Sequence, residues 1–173
     1  MDNMAIVKAS YTKSSGGAKA SIRYIEHRSG KDNAKINRTL FGIDGAMGRW
    51  EAYRMIDEAE KCSVFYRLIL NFDAKQEDTK RDLFLREITE KTMLRLEERL
   101  HTNIQWVAAT HDDHTPLRHV HVIALVPRRL QVPDLQALRT TATEASLAQR
   151  QERDLVKEMQ KQKEQEAQWE RGY

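Results

Sequence analysis

The chain has 173 residues, of which 40% are hydrophobic and 32% are charged, a balance typical of one folded domain with its own core. It contains no apolar run of the roughly 20 residues that span a bilayer, and its N-terminus lacks the apolar segment of a signal peptide. We therefore expect a cytoplasmic protein with no membrane contact. The single cysteine, Cys62, excludes an internal disulfide and zinc sites built on several cysteines.

Apolar spacing, β-branched runs and glycine or proline interruptions predict the elements of the fold. In chain order they are strand 5–10, helix 18–27, helix 49–61, strand 64–72, helix 75–100, strand 104–110, strand 119–127 and a long helix from about 133 to 169. The stretch TKSSGGAKAS is predicted to interrupt regular structure before the first helix. Residues 30–48 are predicted to be a long loop with a short extended piece near 39–41, and Asp78 or Thr79 to cap part of the 75–100 helix.

This order favours an α+β fold with a largely antiparallel β-sheet and flanking helices. A loop of about eight residues joins the strands 104–110 and 119–127, which indicates a hairpin. We predict one domain over residues 1–130. Residues 131–173 are predicted to form a polar, solvated helical extension that links to further domains.

Positive charge is concentrated near the N-terminus. The whole chain has a formal net charge of +3, whereas residues 8–38 alone carry eight basic and two acidic residues, a net charge of +6. The basic residues are Lys8, Lys13, Lys19, Arg23, Arg28, Lys31, Lys35 and Arg38. A polyanion such as DNA is a natural partner for this segment, although a basic segment can also serve solubility alone. Lys13, Lys19, Arg23 and Arg28 are the expected phosphate contacts, and Arg118, Arg128 and Arg129 form a lesser basic group.

Four of the six histidines lie within the segment HDDHTPLRHVH. His119 and His121 are two residues apart on a predicted strand, so both side chains project from the same face of the sheet, while Val120 and Val122 face the other way. In a hairpin, His111 comes opposite this pair, and three converging imidazoles form a metal site with open positions. Asp112 and Asp113 are candidates to orient the rings, and His114 is expected to be exposed.

A metal beside a basic segment suggests phosphoryl transfer on DNA, which calls for a nucleophile. Tyrosine suits the task because a phosphotyrosyl ester conserves the bond energy for rejoining the strand. Tyr24 lies in the basic segment beside Arg23 and Arg28, and it is the favoured candidate, with Tyr11 as a reserve. Two others, Tyr66 and Tyr53, are expected to be packing residues. Without the histidines, Tyr24 would also be interpreted as an aromatic that anchors its helix.

These segments resemble a known family. The pair His119-Val120-His121 with the upstream His111 is similar to the HUH motif of conjugative relaxases, in which three histidines hold a divalent ion. The opening MAIVKASYTKSSGGAKA and the segment ASIRYIEHR resemble plasmid mobilisation-protein A relaxases, and the likeness covers residues 4–127. These relaxases often carry Asn-Pro before the second histidine, whereas this chain has Leu117-Arg118 after Pro116.

The resemblance implies a palm-like sheet and a metal-dependent relaxase that nicks and rejoins one DNA strand at a transfer origin to start conjugative transfer. Tyr24 matches the family's catalytic tyrosine, and His111, His119 and His121 match its metal ligands. The expected ion is Mg or Mn in the cell, with Zn, Co or Ni able to bind in vitro. The implied partners are single-stranded DNA at the nic site, accessory relaxosome proteins and a coupling protein.

Other functions fit parts of the pattern. A rolling-circle replication initiator or an HUH transposase shares the motif, but in those families the tyrosine follows the histidine pair. Here Tyr173 is the only tyrosine after His121, whereas Tyr24 precedes it, as in relaxases. A non-catalytic single-stranded DNA-binding module and a metallohydrolase are the alternatives from other classes.

Overall fold

The computed structural model describes residues 5–30, 33–61, 63–113 and 115–172. Within them the chain forms an antiparallel sheet of six strands with four helices, which confirms the predicted α+β class. The elements are β1 (Ile6–Thr12), α1 (Ser15–His27), β2 (Leu40–Gly42), β3 (Gly45–Met47), α2 (Arg49–Asp57), β4 (Val64–Asn71), α3 (Leu85–Leu100), β5 (Gln105–His111), β6 (His119–Val126) and α4 (Val132–Arg171).

The strands are ordered β1-β4-β6-β5-β2-β3, so the β5–β6 hairpin occupies the middle of the sheet. Alternate residues of the strands pack into two separate cores, one on each face of the sheet. Val120 and Val122 of β6 join one core, which also contains residues of α3 and α4. Ile123 and Leu125 of β6 join the other, beneath α1 and α2. The sheet is therefore the middle layer of three, and every odd-numbered residue of β6 faces the α1 side.

Some expectations fall on residues outside the described ranges. They concern the disulfide argument at Cys62, the exposed loop position of His114, the C-terminal Tyr173, and two charges of the basic segment, Lys31 and Asp32. Among the described helices, none combines the length and apolarity needed to cross a membrane.

The first helix begins earlier than its composition predicts. The serine and glycine stretch was expected to interrupt regular structure, but α1 starts at Ser15 and includes both glycines. Ser14 caps the helix, because its hydroxyl accepts a hydrogen bond of 3.1 Å from the backbone N–H of Gly17. A Cβ added to Gly17 would lie 3.1 Å from Thr12 Oγ1, so the missing side chain lets the helix turn lie close to β1.

The third helix begins later than predicted, at Leu85 rather than near residue 75. The carboxylate of Asp73 accepts the backbone N–H groups of Lys75 and Gln76, which fixes a turn instead. Arg81 has a φ of 51°, in the left-handed region, so a helix cannot run through it. The proposed cap at Asp78 or Thr79 is wrong, since Phe84 is the residue that precedes the helix.

Two further boundaries differ from expectation. The predicted loop at residues 30–48 contains the β2–β3 hairpin, whose second strand begins at Gly45 with a φ of 116°, a conformation that favours glycine. The second helix ends at Asp57, four residues before its predicted end at residue 61. Strand β2 matches the extended piece predicted near residues 39–41, whereas β3 has only three residues, too few for an alternating pattern to show.

The prediction of a solvated C-terminal helix holds only for the second half of α4. Its first half is part of the core, where Leu138, Ala142 and Ala145 pack with residues of α3 and the sheet. From residue 151 onward nearly every residue is exposed. Apolar residues spaced three and four apart in the first half bind it to the sheet, whereas Leu155, Val156 and Met159 in the charged second half remain about half exposed.

The start of α4 depends on Asp134, whose side chain is only 1% exposed. Its carboxylate accepts hydrogen bonds from Arg128, Arg99 and the backbone N–H of Gln131. The bond from Arg128 is the largest of the effects that lower the pKa of Asp134, to about 2. The ionised carboxylate therefore stabilises the folded state.

We predict that Asp134→Asn lowers the free energy of unfolding by about 2 kcal/mol at pH 7. Because the folded pKa lies below the unfolded one, the contribution is complete above about pH 4 and is lost as the pH falls towards 2. Urea denaturation of both proteins at pH 7 and pH 3 measures the difference. Asp44→Asn, at an exposed turn, is the control. An equal loss of stability at both pH values would contradict the assignment.

Candidate metal centre

The three histidines of the motif meet on one face of the sheet. In the β5–β6 ladder His111 pairs directly with His119, and His121 is two residues further along β6. All three project towards α1, while Val120 and Val122 enter the opposite core. The predicted hairpin and the predicted facing of these residues are both confirmed. The triad is therefore a consequence of strand alternation combined with the pairing register.

The rings are close enough to share an ion. The ring centroids are 4.3 Å apart for His111 and His121, 5.0 Å for His119 and His121, and 5.2 Å for His111 and His119. One nitrogen from each ring lies within 4.8 Å of the other two. Nitrogens bound to one ion at about 2.1 Å stand at most about 4.2 Å apart. Small ring movements therefore bring the three nitrogens to coordination distance.

Hydrogen bonds leave one nitrogen of each ring available. The Nε2–H of His111 donates to the carbonyl of Ile25 over 2.9 Å, so its Nδ1 carries the free lone pair. The Nδ1–H of His119 donates to the carbonyl of Leu117 over 3.1 Å, which leaves its Nε2 free. The Nε2 of His121 is buried and has no hydrogen-bond partner among the described residues. A buried nitrogen without a partner is costly, and a cation would satisfy it.

The environment keeps the imidazoles neutral, which is the form that binds metal ions. Burial lowers the pKa of His111 to about 4 and that of His121 to about 3. Burial also lowers the pKa of His119, and the nearby charges of Arg28 and Arg38 act in the same direction. The site thus provides three neutral nitrogen ligands at neutral pH.

Backbone carbonyls orient the histidine rings, in contrast to the expected role of Asp112 and Asp113. Asp112 is exposed and makes no side-chain hydrogen bond among the described residues. Asp113 binds Arg38 in a two-pronged ion pair with distances of 2.9 Å, and its negative charge favours protonation of His111 and His119. Arg38 also donates to the carbonyl of Arg28, which ties the end of α1 to the hairpin loop.

Two arginines hold the loop between β5 and β6 from the other side. Arg81 donates to the backbone carbonyls of Asp112, Thr115 and Pro116 over 2.8 to 3.3 Å. Arg118, directly before the first histidine of β6, forms a two-pronged ion pair of 2.8 Å with the buried Asp78. The 73–84 turn therefore fixes the loop that positions His119 against His111.

Tyr24 lies beside the histidines. Its ring is 6.3 Å from that of His121, with the two planes nearly perpendicular, and the residue is 52% exposed. This placement follows from α1, which buries Ile22 and Ile25 against the sheet and leaves Tyr24 at the margin of that contact. The Arg28 guanidinium lies 5.8 Å from the centre of the Tyr24 ring.

The other described tyrosines are not placed to act with the histidines. Tyr11, the reserve candidate, pairs with Tyr66 on the opposite face of the sheet, and its ring lies 4.8 Å from the Arg129 guanidinium. Tyr66 is buried in the core there, as predicted, and its hydroxyl accepts the backbone N–H of Leu130. Tyr53 packs against the core beneath α1 and α2, also as predicted.

The four basic residues expected to contact DNA are distributed around α1. Arg28 lies at the histidines, and Lys13 is exposed in the turn before the helix. Lys19 instead pairs with Asp57 of α2. Arg23 is exposed, but it is displaced about 100° around the helix from Tyr24. The structure therefore brings Arg28 to the histidines and directs Lys19 away from them.

The lesser basic group does not form one surface. Arg118 is paired with Asp78, Arg128 is paired with Asp134, and Arg129 lies over Tyr11 on the far side of the sheet. Sequence reasoning instead missed Arg67, an exposed residue and the only charged one in the largely apolar strand β4. Its signal was available, because a single charged residue in a buried strand must face solvent or a cleft.

A scan against protein-family models, a search of curated proteins and a search of solved structures each gave no match to this chain.

We predict that Arg81→Ala weakens Mn²⁺ binding by about tenfold, because the loop before His119 loses its support. Thermal stability should change little, since the freed carbonyls lie at an exposed loop and water can bind them. Calorimetric titration with Mn²⁺ and thermal denaturation measure the two effects. The control is Arg95→Ala, on the exposed surface of α3. A variant that binds Mn²⁺ as tightly as the parent would show that the loop positions itself.

Proposed function

We propose that this chain is a metal-dependent relaxase that nicks one DNA strand at a transfer origin and later rejoins it through a tyrosyl intermediate. The observation that carries the proposal is the meeting of Tyr24 with the histidine triad, its ring 6.3 Å from that of His121. A nucleophile must lie within reach of the group that holds the scissile phosphate. Tyr24 alone among the described tyrosines meets that requirement.

The reaction exchanges one phosphodiester for another. The Tyr24 hydroxyl oxygen attacks the phosphorus, the bond from phosphorus to the 3′-oxygen breaks, and the 5′-phosphate becomes esterified to the tyrosine. The phenolic proton passes to solvent, which reaches the half-exposed ring, and the departing 3′-oxygen takes up a proton to become a hydroxyl. Attack by a 3′-hydroxyl on the tyrosyl ester reverses these steps and rejoins the strand without an energy source.

The triad His111, His119 and His121 would hold the divalent ion, whose chemistry is to polarise the scissile phosphate and stabilise its developing charge. Three imidazoles suit Mn better than Mg, which prefers oxygen ligands, and they also accept Zn, Co or Ni in vitro. Arg28 adds a fixed positive charge beside the same position. The carbonyls of Ile25 and Leu117 keep two rings aimed inward.

The remaining parts of the proposal follow from the family likeness. The ligand is single-stranded DNA at the nic site, and the partners are accessory relaxosome proteins and a coupling protein in the cytoplasm. A single tyrosine beside the histidines, among the residues that the structure describes, fits one nicking event followed by one rejoining event. The chain order, with Tyr24 before the histidine pair, supports a relaxase over a replication initiator or transposase.

We predict that Tyr24→Phe abolishes the covalent protein–DNA adduct while it preserves the binding of DNA and of Mn²⁺, because only the hydroxyl is lost. A labelled oligonucleotide incubated with Mn²⁺ and resolved on a denaturing gel measures the adduct. Tyr53→Phe is the matched control, since that ring packs away from the histidines. An adduct that survives Tyr24→Phe would contradict the assignment. Cleavage by the parent without an adduct would indicate a hydrolase, and binding alone a non-catalytic module.

We also predict that His119→Ala lowers the affinity for Mn²⁺ at least about 100-fold, more than the loss of an outer residue does. Adduct formation at limiting Mn²⁺ should fall in parallel. His101→Asn is the control, because His101 lies at the end of α3 with a φ of 52°, a conformation that asparagine tolerates. Unchanged nicking by His119→Ala at limiting Mn²⁺ would exclude a role for the triad.

A further inference from the structure

A cleft of about 680 Å³ lies between α1 and the sheet, next to the histidine triad. Tyr24 and Arg28 line it from the helix, Arg67 and Ile69 from β4, and His121 from β6. Its volume is within the roughly 300–1,000 Å³ range of small-ligand sites. We call it the α1 cleft. It opens beside the nucleophile, so whatever occupies it lies next to the reacting phosphate.

Arg67 stands on the sheet floor of this cleft. In the strand ladders it lies between Ser10 of β1 and Ile123 of β6, and it shares the histidine face of the sheet. Its immediate neighbours Tyr66 and Leu68 are buried in the opposite core, which leaves the arginine projecting towards α1. The strand therefore holds a guanidinium at a fixed place beside the triad.

The Arg67 side chain has no hydrogen bond and no acidic partner among the described residues. Arg38, Arg118 and Arg150, which are buried or nearly so, each bind carboxylates. Among the described residues, the Arg28 side chain makes no hydrogen bond or ion pair, and its guanidinium lies beside the Tyr24 ring. The fold thus neutralises its structural arginines and leaves two guanidiniums at the α1 cleft available for an external anion.

The rest of the cleft is apolar or uncharged. Ala20, Ile25 and Ile69 offer hydrocarbon surface, Ser10 offers a hydroxyl, and none of its lining residues is acidic. A ligand with a flat, weakly polar part and an anionic part matches this lining, which is the composition of a nucleotide. A base that is paired and stacked within a duplex cannot enter a cleft between a helix and a sheet, whereas an unpaired base can.

We propose that the α1 cleft binds the unpaired nucleotide adjacent to the scissile phosphate, with its base between α1 and the sheet and its phosphate bound by Arg67 and Arg28. The inference rests on the proposed function for the identity of the strand. It assigns Arg67 as a DNA-binding residue and makes the cleft the reason for a preference for single strands. Lys19, paired with Asp57, takes no part.

The test measures binding without chemistry. Fluorescence anisotropy with a labelled oligo-dT in EDTA, over a series of salt concentrations, reports affinity and its salt dependence independently of nicking. We expect Arg67→Ala to weaken binding about tenfold and to reduce the slope of log affinity against log salt by about 0.7. Arg67→Lys should keep the slope and lose part of the affinity, because lysine lacks the planar fork. The parent should bind a duplex of the same length more weakly.

Arg95→Ala on α3 is the matched control and should leave both quantities unchanged. If Arg67→Ala behaves like this control, or if the parent binds duplex as tightly as single strand, the inference is wrong. Its failure is separable from that of the proposed function. If Arg67→Ala loses affinity and salt dependence but the parent forms no adduct, the DNA-binding role of the cleft is supported and the nicking activity is excluded. If the parent forms the adduct but Arg67→Ala binds DNA with unchanged affinity and salt dependence, the nicking activity is supported and the role of the cleft is excluded.

Discussion

The pairing register between β5 and β6 is the constraint on which the histidine triad depends. Register places His111 opposite His119, and strand alternation places His121 on the same face. A slip of one residue would send both β6 histidines into the core of α3 and α4 and expose the valines between them. The register is fixed because Val120 and Val122 fill that core and Ile123 and Leu125 fill the other. Packing on both faces of the sheet therefore determines the chemistry at its centre.

The arrangement around the histidines also requires that α1 approach the sheet closely. Small residues make it possible: Gly17 has no side chain to meet Thr12, and Ala18 is buried against the sheet. The carbonyl of Ile25 then reaches His111, and Tyr24 comes beside His121. One helix thus orients the His111 ring, carries the proposed nucleophile and forms one wall of the α1 cleft.

Charge in this protein serves two purposes that only the contacts distinguish. Arg38, Arg118 and Arg128 are held by carboxylates and connect loops or helix ends to the framework. Arg28 and Arg67 have no such partners among the described residues, and both face the α1 cleft. An arginine whose N–H groups already bind a carboxylate has few donors left for a ligand. An unpaired arginine beside neutral imidazoles instead attracts an anion.

The sequence by itself determined the fold class, the strands of the central hairpin and the shared face of His119 and His121, because strand alternation and β-branched runs are local signals. It also singled out His111 and Tyr24, through the hairpin geometry and the family likeness. The strand β3 escaped it, because three residues are too few for an alternating pattern to show. The turn at residues 73–84 also escaped it, since hydrogen bonds of the Asp73 side chain rather than apolar spacing define that turn. Only the tertiary structure decided which arginines are free, which carbonyls orient the rings and that Arg67 shares a cleft with Tyr24. Those properties depend on residues that are distant in the chain and become neighbours when the sheet forms.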